Sequence, residues 1–289
     1  MAFDDMGGKI WYNGQLVDWS QPRVHILSHG LHYGSCVFEG ERAYGGKIFK
    51  HEEHIERLFF SAKELDIEIP FSQQQIEDAC YEALEAEGHL DAYVRPVVWR
   101  GSGMMAVSAQ NSGVHCAVAT WRWGAYFPRE ELLKGINLDW AKYRRPNPDS
   151  APVHAKAAGL YMICTLSKHE AERNGYADAL MLDYRGYVAE STGSNIFFIK
   201  DGEIHTPLAD CFLNGITRRT VIDLAGARGY PVIERHILPD ELPQMQECFL
   251  VGTAVEVTPV GQIGEHRFQT GQITTTLMDD YTALVNPVA

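Results

Sequence analysis

The chain opens with short strand-like runs and then trades a period of two for a helical period, an exchange that recurs along its length. KIWYNGQLVDW reads as two strands about a polar turn at Asn13-Gly14, a hairpin signal. RVHILSHGLHYG and VFEGERAYGGKIFK continue in strand character, the second folded at Gly45-Gly46. In HEEHIERLFFSAKELDI the apolar residues Ile55, Leu58, Phe59, Ala62 and Leu65 fall at helical spacing. Ser72 and Gln75 form a capping box for a second helix. Its buried stripe is Ile76, Ala79, Cys80, Ala83 and Leu84, and Gly88 closes it.

AYVRPVVW and VHCAVATWRW are β-rich. Residues 125–135, with Gly, Pro and mixed charge close together, read as a connection between an N-terminal domain over 1–124 and a C-terminal domain over 136–289. Beyond it GINLDWAKY resumes strand character and RRPNPDSAP is a loop. A helical pattern runs from Ala157 to about Asn174, with Gly175 as its cap. ADALMLDY, GYVAE and SNIFFIK are strands, and KDGEIH turns into another. GITRRTVIDLAGARGY is a helix; VIERHI, ECFLVG and AVEVTPV are strands; QITTTLMDDYTALV is the last helix. Two mixed α/β domains are the economical reading.

Composition narrows the function classes. Of 289 residues 45% are hydrophobic and 22% charged, enough apolar surface to exclude disorder as the dominant state. No run approaches the ~20 apolar residues of a membrane span. MAFDDMGGKIWYNG has two early acids and no apolar signal core, from which a cytoplasmic location is expected. The net charge of −13 is the wrong sign for a duplex-binding protein, so an anionic ligand would need positive charge gathered locally. The six cysteines contain no CxxC pair and read as reduced thiols.

Several motifs fail their context tests. Gly101–Ala106 matches GxGxxA, but a loop-like AVSAQNSG follows where a dinucleotide fold needs a helix. His25, His29 and His32 lie at i, i+4 and i+7, yet among glycines and β-type residues they do not share one face, and no metal site is assigned. GxSxG, GxxxxGK[ST] and HExxH are absent.

Of nine lysines, most lie in turns or among charges. Lys156 differs: in HAKAAGLYM it is flanked by small and apolar residues, a setting that desolvates an amine and favours a nucleophile. A solvated lysine at a helix start is the plainer alternative. Other segments shift the balance. GITRR offers backbone N–H groups at Ile216 and Thr217 behind a glycine, an anion site. Glu190 ends a strand before small turn residues, where it could face a ligand or cap a turn. Thr253 and Ala254 lie in a small-residue turn between apolar strands. Tyr93 and Arg95, two apart, share a strand face that suits a carboxylate, or form an exposed edge pair.

HYGSCVFEGERAY, HIERL, AYVRP, HAKAAGLYMICTLSKHEA, GYVAESTGSNIFF, LNGITRRT and ECFLVGTAVEVTPV, in this order over nearly the whole chain, resemble the successive motifs of class IV, fold-type IV pyridoxal-phosphate aminotransferases, the branched-chain amino acid group most of all. The resemblance implies a smaller N-terminal α+β domain and a larger C-terminal β-barrel-like domain with helices. It implies pyridoxal 5′-phosphate held by Lys156 through a Schiff base, with Lys156 then moving the proton between substrate Cα and cofactor C4′. Glu190 would bind the pyridine nitrogen, Tyr161 the ring hydroxyl and Leu213 one ring face. Arg57, Ile216, Thr217 and Thr253 would hold the phosphate.

The implied reaction is transamination of Leu, Ile and Val with 2-oxoglutarate, whose single pocket takes an aliphatic chain and then a carboxylate. Tyr93, Thr253 and Ala254 would bind the α-carboxylate. Phe38, Trp123, Tyr126 and Tyr161 would form the apolar wall. Arg95, with Tyr33 and Tyr126, would meet the distal carboxylate. Tyr33 would reach a neighbouring subunit's site, making the protein at least a homodimer. Gly159-Leu160-Tyr161 and Gly193-Ser194-Asn195 depart from the Gly-Asn-Tyr and Gly-Glu-Asn of many relatives without removing a catalytic group. D-amino acid or (R)-amine transamination, aminodeoxychorismate lysis and a non-catalytic phosphate-binding module are the competing readings. Retention of both Lys156 and Glu190 argues against the last.

Overall fold

A computed structural model describes residues 3–124 and 129–286, and divides the chain into two compact units. The first is Met1–Gly124 with Ala155–Leu160; the second is Ala125–His154 with Tyr161–Ala289. Among the described residues no helix is long and apolar enough to cross a membrane.

In the first unit β1 (Lys9–Tyr12) and β2 (Gln15–Asp18) form the hairpin that alternation predicts. Its turn needs the left-handed backbone of Asn13 and Gly14, at φ 49° and 97°. Helix α1 (His29–Tyr33) precedes β3 (Cys36–Phe38), β4 (Glu41–Tyr44) and β5 (Lys47–Ile48). Then come α2 (His51–Glu64), α3 (Gln73–Glu87) and the long strands β6 (Ala92–Arg100) and β7 (Val114–Arg122). The sheet runs β2-β1-β7-β6-β4-β5, with β3 also on β6. Helices α2 and α3 cover it with the stripes read from sequence: Ile55, Leu58, Ile76, Ala79, Cys80 and Ala83 are each at most 1% exposed. Burying a Leu or Ile side chain contributes about 1.5–3 kcal/mol.

The strand reading of RVHILSHGLHYG is corrected: the segment holds α1 instead. Local bonds compete with pairing here. His25 Nδ1 accepts the Leu27 N–H at 3.1 Å, and the Ser28 N–H donates to the His25 carbonyl at 2.8 Å. Residues 101–113 form no helix, as the rejection of a dinucleotide motif requires.

The second unit holds α4 (Arg129–Leu132), β8 (Ile136–Trp140), α5 (Tyr161–Arg173), β9 (Asp178–Leu182), β10 (Val188–Ser191), β11 (Asn195–Lys200) and β12 (Glu203–Pro207). Helix α6 (Ile216–Ala227), β13 (Val232–Arg235), β14 (Glu247–Gly252), β15 (Glu256–Ile263), β16 (His266–Arg267) and α7 (Gln272–Val285) complete it. The mixed sheet runs β10-β9-β8-β15-β14-β11-β12-β13, with β16 on β15. Its ends meet. The Val188 N–H donates to the Ile237 carbonyl at 2.8 Å, and Tyr187 stacks on His236. This closure is the barrel-like form. Strand β11 is buried on both faces, with Phe197 stacked on its register partner Phe249.

Candidate active site

The first unit presents Lys156 on a short, fixed segment. Its N–H donates to Ser61 Oγ at 2.9 Å, and its carbonyl accepts the Phe38 N–H at 3.2 Å. Ala157 bridges to Val37, and Ala155 and Ala157 are buried, so small residues flank the lysine because little room is left beside β3. Lys156 Nζ stands 5.1 Å from the centre of the half-buried Phe38 ring.

Beside it the alternation of β6 turns Tyr93 and Arg95 to one face. Arg95 Nη2 donates to the Tyr93 hydroxyl at 3.3 Å. Its guanidinium carbon lies 4.7 Å from the Phe38 ring centre and 5.2 Å from that of Tyr93. Among the described residues, Arg95 Nε is buried without a hydrogen-bond partner. Trp121 and Trp123 each hold the Tyr93 ring at 5.0 Å. Gly40 is required there: an added Cβ would run into the Tyr93 hydroxyl. Tyr33 stacks on His29 at 4.5 Å and is 48% exposed. Tyr126 lies outside the described residues.

Arg57 lies on a fully buried carboxylate that sequence reading missed. Arg57 Nε and Nη2 donate to Glu39 at 2.6 and 2.8 Å, and His54 Nδ1 bonds the same carboxylate at 2.7 Å. Burial alone would raise the Glu39 carboxyl, but Arg57 and His54 outweigh it and hold the group well below the usual carboxylate range. Its stabilisation is therefore full above the unfolded carboxyl's range, declines below it, and is gone once the pH passes the lowered folded value. Between about pH 6 and about pH 3 the wild type should lose about 1–2 kcal/mol more stability than Glu39→Gln. Urea midpoints at the two pH values measure this; equal losses would contradict it.

The second unit buries Glu190, 8% exposed, beside one cation and one amide donor. Arg145 Nε is 3.3 Å from Oε1, and Asn195 Nδ2 donates to Oε2 at 3.2 Å. Burial would lower the Arg145 pKa, but Glu190, Cys164 and Tyr161 together outweigh it and keep the arginine above its ordinary value. Arg145 also donates to Cys164 Sγ at 3.5 Å, on the helix that Tyr161 opens. Burial pushes the Cys164 thiol up to about 11, with Arg145 opposing. No sequence signal marked Arg145, which lies in the loop RRPNP.

Among the described residues, helix α6 starts at the buried Ile216 and Thr217 after Gly215 with no side-chain cap, an arrangement in which the first-turn N–H groups have no intrahelical partner. Leu213 gives its carbonyl to Asn195. Thr253 and Ala254, both half-buried, form the tight turn from β14 to β15.

Each unit by itself offers groups that suit a phosphorylated pyridine aldehyde: the first a lysine amine on a fixed segment, the second a buried carboxylate held by an amide and, among the described residues, a helix N-terminus with no side-chain cap. The family model of amino-transferase class IV matches residues 36–263. The chain belongs to the class IV aminotransferases. This class IV aminotransferase is a fold-type IV, pyridoxal-phosphate-dependent enzyme. It is 40% identical over 293 residues to the branched-chain-amino-acid aminotransferase of Pseudomonas aeruginosa, an alignment that covers 99% of this chain and 95% of that one. It superposes with a TM-score of 0.94 on a T.th. branched-chain amino acid aminotransferase solved with pyridoxamine 5′-phosphate, at 38% identity over 97% of this chain and 94% of that one. The same T.th. enzyme complexed with N-(5′-phosphopyridoxyl)-L-glutamate gives 0.92 at 36% identity, with 97% and 94% covered.

Proposed function

We propose that this class IV aminotransferase moves the amino group of Leu, Ile and Val to 2-oxoglutarate, giving branched-chain 2-oxo acids and L-glutamate. The observation that carries the reading is the setting of Arg95. A cation laid across Phe38 and Tyr93, with a buried N–H to spare, can present an apolar wall to an aliphatic chain and a donor to a carboxylate.

When bound, the cofactor supplies an electron sink for charge developing at the substrate Cα. Lys156 would anchor it covalently between turnovers and would move the Cα proton at Nζ. Glu190, beside Arg145 and Asn195, would keep a proton on the pyridine nitrogen. Tyr161 would meet the ring hydroxyl, and Leu213 one ring face. Ile216 and Thr217 would hold the phosphate through their N–H groups, with Thr253 and Arg57. Arg57 is held for this by Glu39. Tyr93, Thr253 and Ala254 would orient the α-carboxylate, and Trp123 with Phe38 would exclude water. Borohydride reduction of the holoenzyme followed by peptide mapping should leave the cofactor's mass on Lys156; its recovery on another lysine would refute the assignment.

The working form is proposed to be at least a homodimer in the cytoplasm, a reducing compartment that suits a sequence whose six cysteines include no CxxC pair. The first unit exposes Ile26 (72%), Leu31 (62%) and Val107 (84%). They lie on neighbouring segments, joined where His29 Nε2 bonds the Ala106 carbonyl at 2.9 Å. Apolar side chains gathered in this way mark an interface, and Tyr33 stands on the same helix as Leu31. Light scattering should give a dimer or larger assembly, and Leu31→Glu with Val107→Glu should shift it toward monomer. A monomeric wild type would overturn the proposal.

A further inference from the structure

We propose that Asn195 is a positioning residue that locks the Glu190 carboxylate to the loop opening α6, so that both ends of the cofactor site are set by one amide. The inference rests on the reading of Glu190 and of the α6 N-terminus given above.

The amide is 6% exposed and spends three of its four hydrogen-bonding positions on that link. One N–H of Nδ2 donates to Glu190 Oε2 at 3.2 Å and the other to the Leu213 carbonyl at 3.0 Å. Oδ1 accepts the Gly215 N–H at 3.2 Å. Asn195 thus joins residues 5, 18 and 20 positions away in sequence.

Both sides of the link are stiff. Asn195 begins β11, whose next four residues are buried, and the turn before it is closed by the Ser191 N–H on the Ser194 carbonyl at 2.8 Å. The loop is held from its far side by Arg218, whose Nη1 donates to Asn214 Oδ1 at 2.9 Å. Arg218 is fully buried, with Nη2 on the Pro207 carbonyl and Glu234. Gly215 is bound into the same device. An added Cβ would collide with Asn195 Oδ1, so only glycine lets the amide approach the helix start. An amide serves where an acid of the same size would not, because two of its three bonds are donations, one of them to a carboxylate.

Asn195→Asp tests this directly. It preserves volume and the acceptor for Gly215, but replaces both donors and sets a second carboxylate against Glu190. Cofactor retention is read as the absorbance released when holoenzyme is diluted, and the melting temperature of the stripped protein reports folding. The expected result is cofactor binding weaker by about 10–100-fold with the fold intact. In a Glu190→Gln background the same change should cost less than about threefold, because the repulsion is gone. Gly215→Ala, which leaves both side chains chemically whole but displaces the amide, should weaken binding by at least about threefold. Equal cost of Asn195→Asp in both backgrounds would make Asn195 a loop support only and overturn the proposal. So would undiminished binding in Gly215→Ala, which also decides the matter if Asn195→Asp does not fold. If Glu190→Gln alone changes neither cofactor binding nor the bound cofactor's spectrum, the reading of Glu190 itself falls and the proposal with it, an outcome distinct from the other two.

Discussion

Lys156→Ala should abolish turnover while leaving the protein folded. Removing the side chain removes both the covalent anchor and the base at the substrate Cα. Loss of a positioned base alone costs about 10²–10⁴-fold, and loss of the anchor adds to it. The fold should survive because the contacts that seat this segment are made by the main chain. Ser61 accepts the N–H of residue 156 and Phe38 donates to its carbonyl, and alanine keeps both. Thermal unfolding of the cofactor-free proteins should therefore differ by less than about 1 kcal/mol. Activity above a few percent of wild type at equal folding would show that another residue moves the proton.

Arg95→Ala should separate the two half-reactions. Leucine has no group to pair with a guanidinium, whereas glutamate and 2-oxoglutarate carry a distal carboxylate. Among the described residues, Arg95 holds a buried Nε without a partner, and its only side-chain hydrogen bond is the long one to the Tyr93 hydroxyl. Much of its donor capacity therefore remains for a ligand. Loss of one such charged contact should cost about 2–3 kcal/mol, or about 30–150-fold in kcat/KM for the dicarboxylate. Leucine should lose less than about tenfold, through packing on Phe38 and Tyr93 that the arginine stem no longer supports. Single-turnover absorbance of the bound cofactor resolves the halves. Equal losses would mean that Arg95 binds the α-carboxylate or is structural.

Local signals in the sequence translated directly into structure. Ser72 and Gln75 close their capping box, the stripe from Ile76 to Leu84 is buried, and QITTTLMDDYTALV is helical over its full length. Each of these depends on neighbours within a few residues. What stayed hidden depends on distant partners. The apolar run at Val24–Leu31 looks like a strand until its own histidine and carbonyl bonds are seen to turn it. The residues around Lys156 group with the first unit because Ser61 and Phe38, 95 and 118 positions away, hold them. Glu39 looked like part of a strand and turn, yet it is the buried counter-charge of Arg57. Asn195 and Arg145 gave no signal, because an amide in SNIFF and an arginine in RRPNP acquire meaning only once folding sets them against Glu190. The candidate lysine, glutamate and glycine were legible because these types stand out in small-residue settings; the residues that touch them were not.

The central claim is transamination between branched-chain L-amino acids and glutamate. It is tested most directly by mixing the purified holoenzyme, one amino donor at a time, with L-leucine, L-glutamate, D-alanine and (R)-1-phenylethylamine and following the bound cofactor's absorbance through a single turnover. The account predicts rapid, complete conversion with L-leucine and L-glutamate and little with the other two. Conversion by D-alanine or the (R)-amine that outpaces L-leucine would contradict it.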